Sequence, residues 1–244
     1  MSPAKTFATT SRVLKQLHHD PRTIGLIMVV PLVLITLLKY VFQGDTLLFN
    51  ATAPVILGIF PLLIMFLVTS IATLRERTSG TLDRLMTEPV SKLDFIFGYA
   101  IAFSLVGFIQ ACLASVVTLG LLGVTILGGT IPLIITAVFA SFLGTTLGLL
   151  VSAFARNEFQ AVQLVMPMIM PQVLLCGLFI PREQMARALQ LAADVLPLTY
   201  SVDAMKQVSQ DSAWTGNLTK DLLVVFGVGL LALLLGSATI RRQE

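Results

Sequence analysis

The chain has 244 residues, of which 56% are apolar and 12% charged, with a net charge of +3 and a mean hydropathy of +0.90. A soluble domain carries about a quarter charged residues, so water is not the solvent for most of this surface. The basic residues lie in short clusters rather than in a stripe or tail, which leaves nucleic-acid binding without support. The apolar runs reach roughly 20 residues without period-two alternation, which selects membrane-spanning helices over a barrel. The expected fold class is therefore an all-α polytopic membrane protein, with a single domain over 1–244.

In residues 4–19, Ala4, Phe7, Ser11, Leu14 and Leu17 share one side at helical spacing, and Lys5, Arg12 and Lys15 lie largely elsewhere. Asp20-Pro21 then breaks the helix. This predicts an N-terminal interfacial amphipathic helix resting on the membrane. The stretch lacks the basic region, apolar core and small-residue cleavage site of a signal peptide, so no removed leader is expected. His18 and His19 have no Cys or Glu at ligand spacing and read as headgroup neighbours. Cys112 and Cys176 sit inside apolar segments and read as small packing residues.

Six apolar spans follow, at about 23–42, 52–74, 95–120, 131–154, 159–180 and 221–240. Gly128-Gly129-Thr130 and Arg156-Asn157-Glu158 mark tight connections, and two longer polar stretches cover 75–94 and 181–220. Lys and Arg gather on the cytoplasmic side of membrane segments. With both termini inside, that side holds eleven of the sixteen basic residues, and Lys39 lies near enough to a span end to snorkel. A cell membrane (inner or plasma) with cytoplasmic termini is the expected setting.

No Asp, Glu or His falls near the middle of any predicted span. A proton relay at depth, a nucleophile with its base, or a metal set cannot be assembled from what remains. The phosphate-cradling G-x-x-x-x-G-K-[ST] pattern is also missing, so energy for active transport would arrive from another protein. Among the uncharged polar residues in the spans, Gln110, Gln160, Gln163 and Gln172 are candidates either to stitch helices together or to line a pathway. Gly144 and Gly148 form a G-x-x-x-G pair, a weak signal for close helix approach. Pro54, Pro61, Pro167 and Pro171 interrupt the second and fifth spans and predict bends.

The stretch from Arg75 to Asp94 reads R-E-R-T-S-G-T-L-D-R-L-M-T-E-P-V-S-K-L-D. After Gly80 a short helix would place Leu82, Leu85 and Met86 on one face, with Pro89 ending it, offering a small apolar knob to a cytoplasmic partner. In the second stretch, Met185, Leu189 and Ala192 at helical spacing suggest an amphipathic segment dipping into the outer leaflet, ended by Pro197.

The first stretch resembles the R-E-R-x-x-G-T-L-x-x-L-x-x-x-P-V segment of type-2 ABC transporter permeases, a group of drug, lipid and polysaccharide exporters. In that family the segment holds the coupling helix that docks into the ATPase subunit. The resemblance carries over at Glu76, Gly80, Thr81, Leu82, Leu85 and Pro89; it would make Arg75, Arg77 and Arg84 rim charges and Leu82 and Leu85 the inserted contacts. The second stretch is similar to the family's segment before the last span at Gly177, Phe179, Pro181, Met185, Leu189, Pro197, Leu198, Thr199 and Tyr200. Ala186 stands where a proline is frequent, a departure expected to soften one helix start.

The resemblance implies a permease subunit, prokaryotic and non-enzymatic, working with two ABC ATPase subunits and a second permease copy or homologous chain. ATP and Mg would be bound by the ATPase, with no cofactor in this chain. Pro181, Met185, Leu189, Pro197 and Tyr200 would form the outer gate region. A lining without fixed charge suits amphipathic or hydrophobic cargo, drug or lipid, better than sugars. A polysaccharide exporter subunit, a non-transporting interaction, immunity or sensor protein, and a membrane enzyme are the alternatives.

Overall fold

The computed structural model describes residues 2–42, 44–78 and 92–239. Among them there are nine α-helices and no strand: α1 (Pro3–His18), α2 (Pro21–Val41), α3 (Thr46–Thr78), α4 (Lys92–Val116), α5 (Thr130–Ser152), α6 (Glu158–Leu175), α7 (Arg187–Val195), α8 (Pro197–Gln210) and α9 (Gly216–Thr239). Helix α4 runs on through a π-helical turn, Val117–Leu121. Six helices, α2, α3, α4, α5, α6 and α9, are long and apolar enough to cross a membrane. The all-α, six-span reading therefore holds.

Helix ends follow local chemistry. Asp20 opens α2 by accepting from the Thr23 amide at 3.2 Å and from the Thr23 hydroxyl at 2.6 Å, and Pro21 occupies the first helical position, where no amide donor is needed. Asn157 caps α6 by accepting from the Gln160 amide at 2.9 Å. The predicted second span, 52–74, is too short, since α3 continues through Arg75-Glu76-Arg77 because these good helix formers find partners on other helices. The predicted fifth span, 159–180, is too long. Helix α6 ends at Leu175, just before Gly177 takes a φ of +82°, a conformation that favours glycine.

Helices α3 and α5 form the spine, running parallel and packed more extensively than any other pair. The glycine pair of α5 makes this possible. A methyl added at Gly148 would fall 2.5 Å from the Phe66 carbonyl oxygen, and one at Gly144 would fall closer still to that of Leu62. The close approach expected of the G-x-x-x-G pair is thus observed, against the backbone of α3. Helix α9 adds Gly229 against the Phe142 ring, and Phe142 stacks on Phe226 with centroids 5.4 Å apart. Most of α3 and α5 is buried, whereas few residues of α2 and α6 are, so these two flank the bundle.

The amino-terminal helix is less free than its composition suggests. Its buried stripe is Thr6, Thr10 and Val13, not the Ala4–Phe7–Ser11 side, and Phe7 stays 74% exposed. Thr10 donates to the Gly98 carbonyl at 3.1 Å and Thr6 to Asp94 at 3.1 Å, so α1 lies along the first turns of α4. Further on, Gln110 donates to the Ile27 carbonyl at 3.0 Å and Lys39 to the Leu122 carbonyl at 2.9 Å. Together α1 and α2 accompany α4 for its whole length, with one break at Asp20-Pro21. Lys39, expected near a span end, lies in the last turn of α2 and reaches the Leu122 carbonyl just beyond the π-helical turn.

Candidate functional site

The pole of the bundle that bears Arg75, Arg77 and Arg156 holds a dense set of charged contacts around the two ends of the α3–α4 connection. On one side of that connection, the Arg12 guanidinium meets the Glu76 carboxylate at 3.3 Å and donates to the Tyr99 hydroxyl at 3.0 Å. It also lies 5.9 Å from the Tyr99 ring centre, a cation–π distance. On the other side, Asp94 accepts from the Ser2 amide at 2.8 Å and from the Thr6 hydroxyl. Helix α1 therefore clasps both ends of the connection at once. Glu76 and Asp94 are both buried, where a carboxylate without such partners is costly.

The three residues of the R-E-R triplet fan out to three different elements. Arg75 donates twice to Glu158 at the start of α6, at 2.6 and 3.2 Å. Glu76 reaches α1 through Arg12, and Arg77 donates to the Ser152 carbonyl at the end of α5. Arg75 and Arg77, expected at the rim of a partner interface, are thus engaged within the chain's own fold. Gly80, Thr81, Leu82, Arg84, Leu85 and Pro89, the remaining residues of the expected coupling segment, lie outside the described residues.

The glutamines separate into different roles. Gln110 is buried and ties α4 to α2 through Ile27. Gln172 is buried too, donating to the Met168 carbonyl at 2.7 Å while its oxygen accepts from the Leu198 amide at 3.3 Å, which joins α6 to α8. Both act as stitching groups. Gln160 accepts from the Arg156 amide at 2.9 Å and belongs to the cap at the start of α6. Gln163 is exposed on α6, in the same face as Phe159, Val162, Met166, Met170 and Leu174.

At the opposite pole, Pro181, Met185, Leu189, Pro197 and Tyr200 belong to a compact cap made of a 3₁₀ turn, α7 and α8. The amphipathic segment expected to end at Pro197 is found as α7, which stops at Val195, and Pro197 starts a further helix, α8, at its first position. Met185 precedes α7 in extended backbone, and Leu189 is exposed on it. Tyr200 donates to the Asp194 carbonyl at 2.6 Å. Arg182 binds the carboxylates of Asp194 at 3.2 Å and Asp203 at 2.5 Å, and Lys206 donates to the Gly177 carbonyl at 2.7 Å. Burial pushes the Asp203 carboxyl up from its usual range, with the Arg182 guanidinium pulling the other way.

Arg12, Tyr99, Asp94 and Arg182 carry these networks, yet sequence reasoning gave them no site role. Their partners are 12 to 92 residues away in the chain. The one available signal was the buried-side Thr6–Thr10 spacing, facing a helix that begins with an acidic residue.

The family model described as ABC-2 type transporter matches residues 4–208. The chain belongs to the ABC-2 type transporter family. This ABC-2 protein is 28% identical over 155 residues to "Probable multidrug ABC transporter permease YbhR" of Escherichia coli K12, covering 62% of this chain and 42% of that one. It is 28% identical over 169 residues to "Inner membrane transport permease YhhJ" of the same organism, covering 68% and 45%. It is 26% identical over 141 residues to "ABC transporter G family member 20" of Dictyostelium discoideum, covering 58% and 19%. The ABC-2 chain thus spans less than half the length of these relatives. The family match begins within α1 and runs through the whole α3–α4 connection, so it takes in Arg12, Glu76 and Asp94 but not Ser2.

Proposed function

We propose that the chain is the membrane-spanning permease subunit of an ATP-driven ABC exporter in a prokaryotic cell membrane, with both termini and the clasped pole cytoplasmic. Two separate ATPase subunits bind ATP and Mg, and a second permease copy or a homologous chain completes the pathway. The observation that carries this reading is the family match across a connection whose two ends are gripped by α1. A push on that connection would be delivered to α1, and through the break at Asp20-Pro21 to α2. The little-buried apolar face of α6, with Met166 and Met170, suits contact with a second permease chain or with lipid. Amphipathic or hydrophobic cargo, drug or lipid, suits spans that hold their charges at the ends, and a drug agrees with the word multidrug in the names of Escherichia coli YbhR and YbhS.

The test is ATP turnover by the chain purified with the ATPase encoded beside it. Leu82→Asp with Leu85→Asp should uncouple cargo-stimulated turnover by removing the apolar contacts of the connection. Unchanged assembly and unchanged stimulation would reject the coupling role. Assembly without any cargo-dependent turnover would instead favour a non-transporting interaction protein.

A further inference from the structure

A cavity of about 250 Å³ opens at the clasped pole where α1, α2, α3 and α4 meet. Its apolar lining includes Leu26, Leu67, Val68 and Phe103, and its charged lining is Asp20, Arg75 and Glu76. The volume lies just below the roughly 300–1,000 Å³ of small-molecule sites, enough for one chain or a compact ring system. The apolar run of α2 begins after Asp20 and that of α3 ends before Arg75, so the cavity straddles a boundary between charged and apolar surface. Leu26 is 49% exposed, which leaves the α2 side open to the surrounding lipid.

Charge decides what fits. Arg75 is held by Glu158 at 2.6 Å, and Glu76 by Arg12 at 3.3 Å. Asp20 differs: among the described residues no cation lies within ion-pair distance of it. Its two oxygens accept from Thr23, which holds the carboxyl below its usual range and keeps it ionised. A carboxylate has about four acceptor positions, and with the Thr23 donors and the Arg22 amide beside it, room remains for one more donor. The result is an apolar cavity whose polar end carries a carboxylate with no ion-pair partner among the described residues, attracted only from farther off by the Arg75 guanidinium.

We propose that this cavity binds a protonated amine carried on an apolar body, with the ammonium on Asp20 and the body against Leu26, Leu67, Val68 and Phe103. An ammonium-headed phospholipid and a soluble lipophilic amine offer the same chemistry. The site is read by binding alone, without nucleotide, so its failure is distinct from failure of the exporter reading.

The test uses the whole chain in phosphatidylcholine nanodiscs, titrated with a dansyl fluorophore joined by a long alkyl chain to a primary amine. Its neutral N-acetylated twin is the control, and empty discs are subtracted. The amine should bind more tightly than the twin. Asp20→Asn should remove that preference, a loss of roughly fivefold, because asparagine caps a helix as well as aspartate does and only the charge changes. Val68→Trp should weaken both probes by filling the cavity; if that variant does not fold, Ala72→Leu intrudes from the same helix with less bulk. Displacement of the probe by phosphatidylethanolamine in the discs would identify a lipid occupant, and retention of the probe a soluble amine. Equal binding of amine and twin, or full binding by both the Asp20→Asn and cavity-filling variants, would overturn the proposal.

Discussion

Gly148→Ala puts the spine of the bundle under direct test. The new methyl would sit 2.5 Å from the Phe66 carbonyl oxygen, whereas ordinary contact begins near 3.4 Å, so α3 and α5 must part by about 0.9 Å. A radial gap of that size forfeits roughly a quarter to a half of each dispersion contact across the seam. That seam carries Leu62, Phe66, Leu143 and Leu147, so overpacking should cost about 1–3 kcal/mol. Helix propensity works the other way, alanine being better than glycine by about 1 kcal/mol. Gly227→Ala in α9 isolates that gain, since nothing lies within 4 Å of its added methyl. Thermal unfolding in micelles, followed by the fluorescence of the single tryptophan, Trp214, gives the readout. The net cost is then about 0–2 kcal/mol, so the Gly148 variant should melt up to about 8 °C below the parent, and the Gly227 variant at or above it. If both variants shift upward together, the glycine seam is not where the two helices meet.

Glu76→Gln should lower stability by about 1–3 kcal/mol, and a double-mutant cycle with Arg12→Ala in denaturant unfolding should show coupling between the two positions. Arg75→Ala should cost under about 1 kcal/mol and the loss should shrink in high salt, because both partners are more than half exposed, at 60% and 51%. Asp203 has its carboxyl raised by burial, so the folded chain binds more protons than the unfolded one between the ordinary carboxylate range and the raised value. Stability of the cap should therefore fall as pH rises through that window, and Asp203→Asn should flatten the slope in pH-dependent melting. Arg182, Lys206, Glu183 and Asp221 face the same group, and Arg182→Ala should steepen the slope by removing the charge that holds the carboxylate ionised.

The number and type of spans were legible because a helix that crosses lipid must be apolar along its length, and such runs are countable. Their ends were less so. The second span overruns its apolar core because Arg75, Glu76 and Arg77 each find a partner on another helix, and those partners lie far off in sequence. Helix α1 was legible as an amphipathic helix, but its contact with α4 was not. Val13, Leu14 and Leu17 pack toward α4 as apolar spacing allows, but the first turns of the contact are made by threonine hydroxyls against Gly98 and Asp94. A pattern of apolar residues cannot announce an interface built on close approach and hydrogen bonds. The glutamines show the same difficulty: Gln110 and Gln172 look alike in a span, and only their distant acceptor and donor, Ile27 and Leu198, reveal them as ties between helices.

The clasp also sets an order of events during biogenesis. Helix α1 leaves the ribosome well before its partners: Arg12 waits 64 residues for Glu76, and the Ser2 amide waits 92 for Asp94. Two spans must enter the bilayer before the first ion pair can form, and the third must have started before the second grip closes. Until then the threonine hydroxyls of α1 rest on carbonyls of its own preceding turn, with no partner helix beside them. A nascent chain stalled before Asp94 should therefore leave α1 open to protease, and one stalled beyond α4 should protect it.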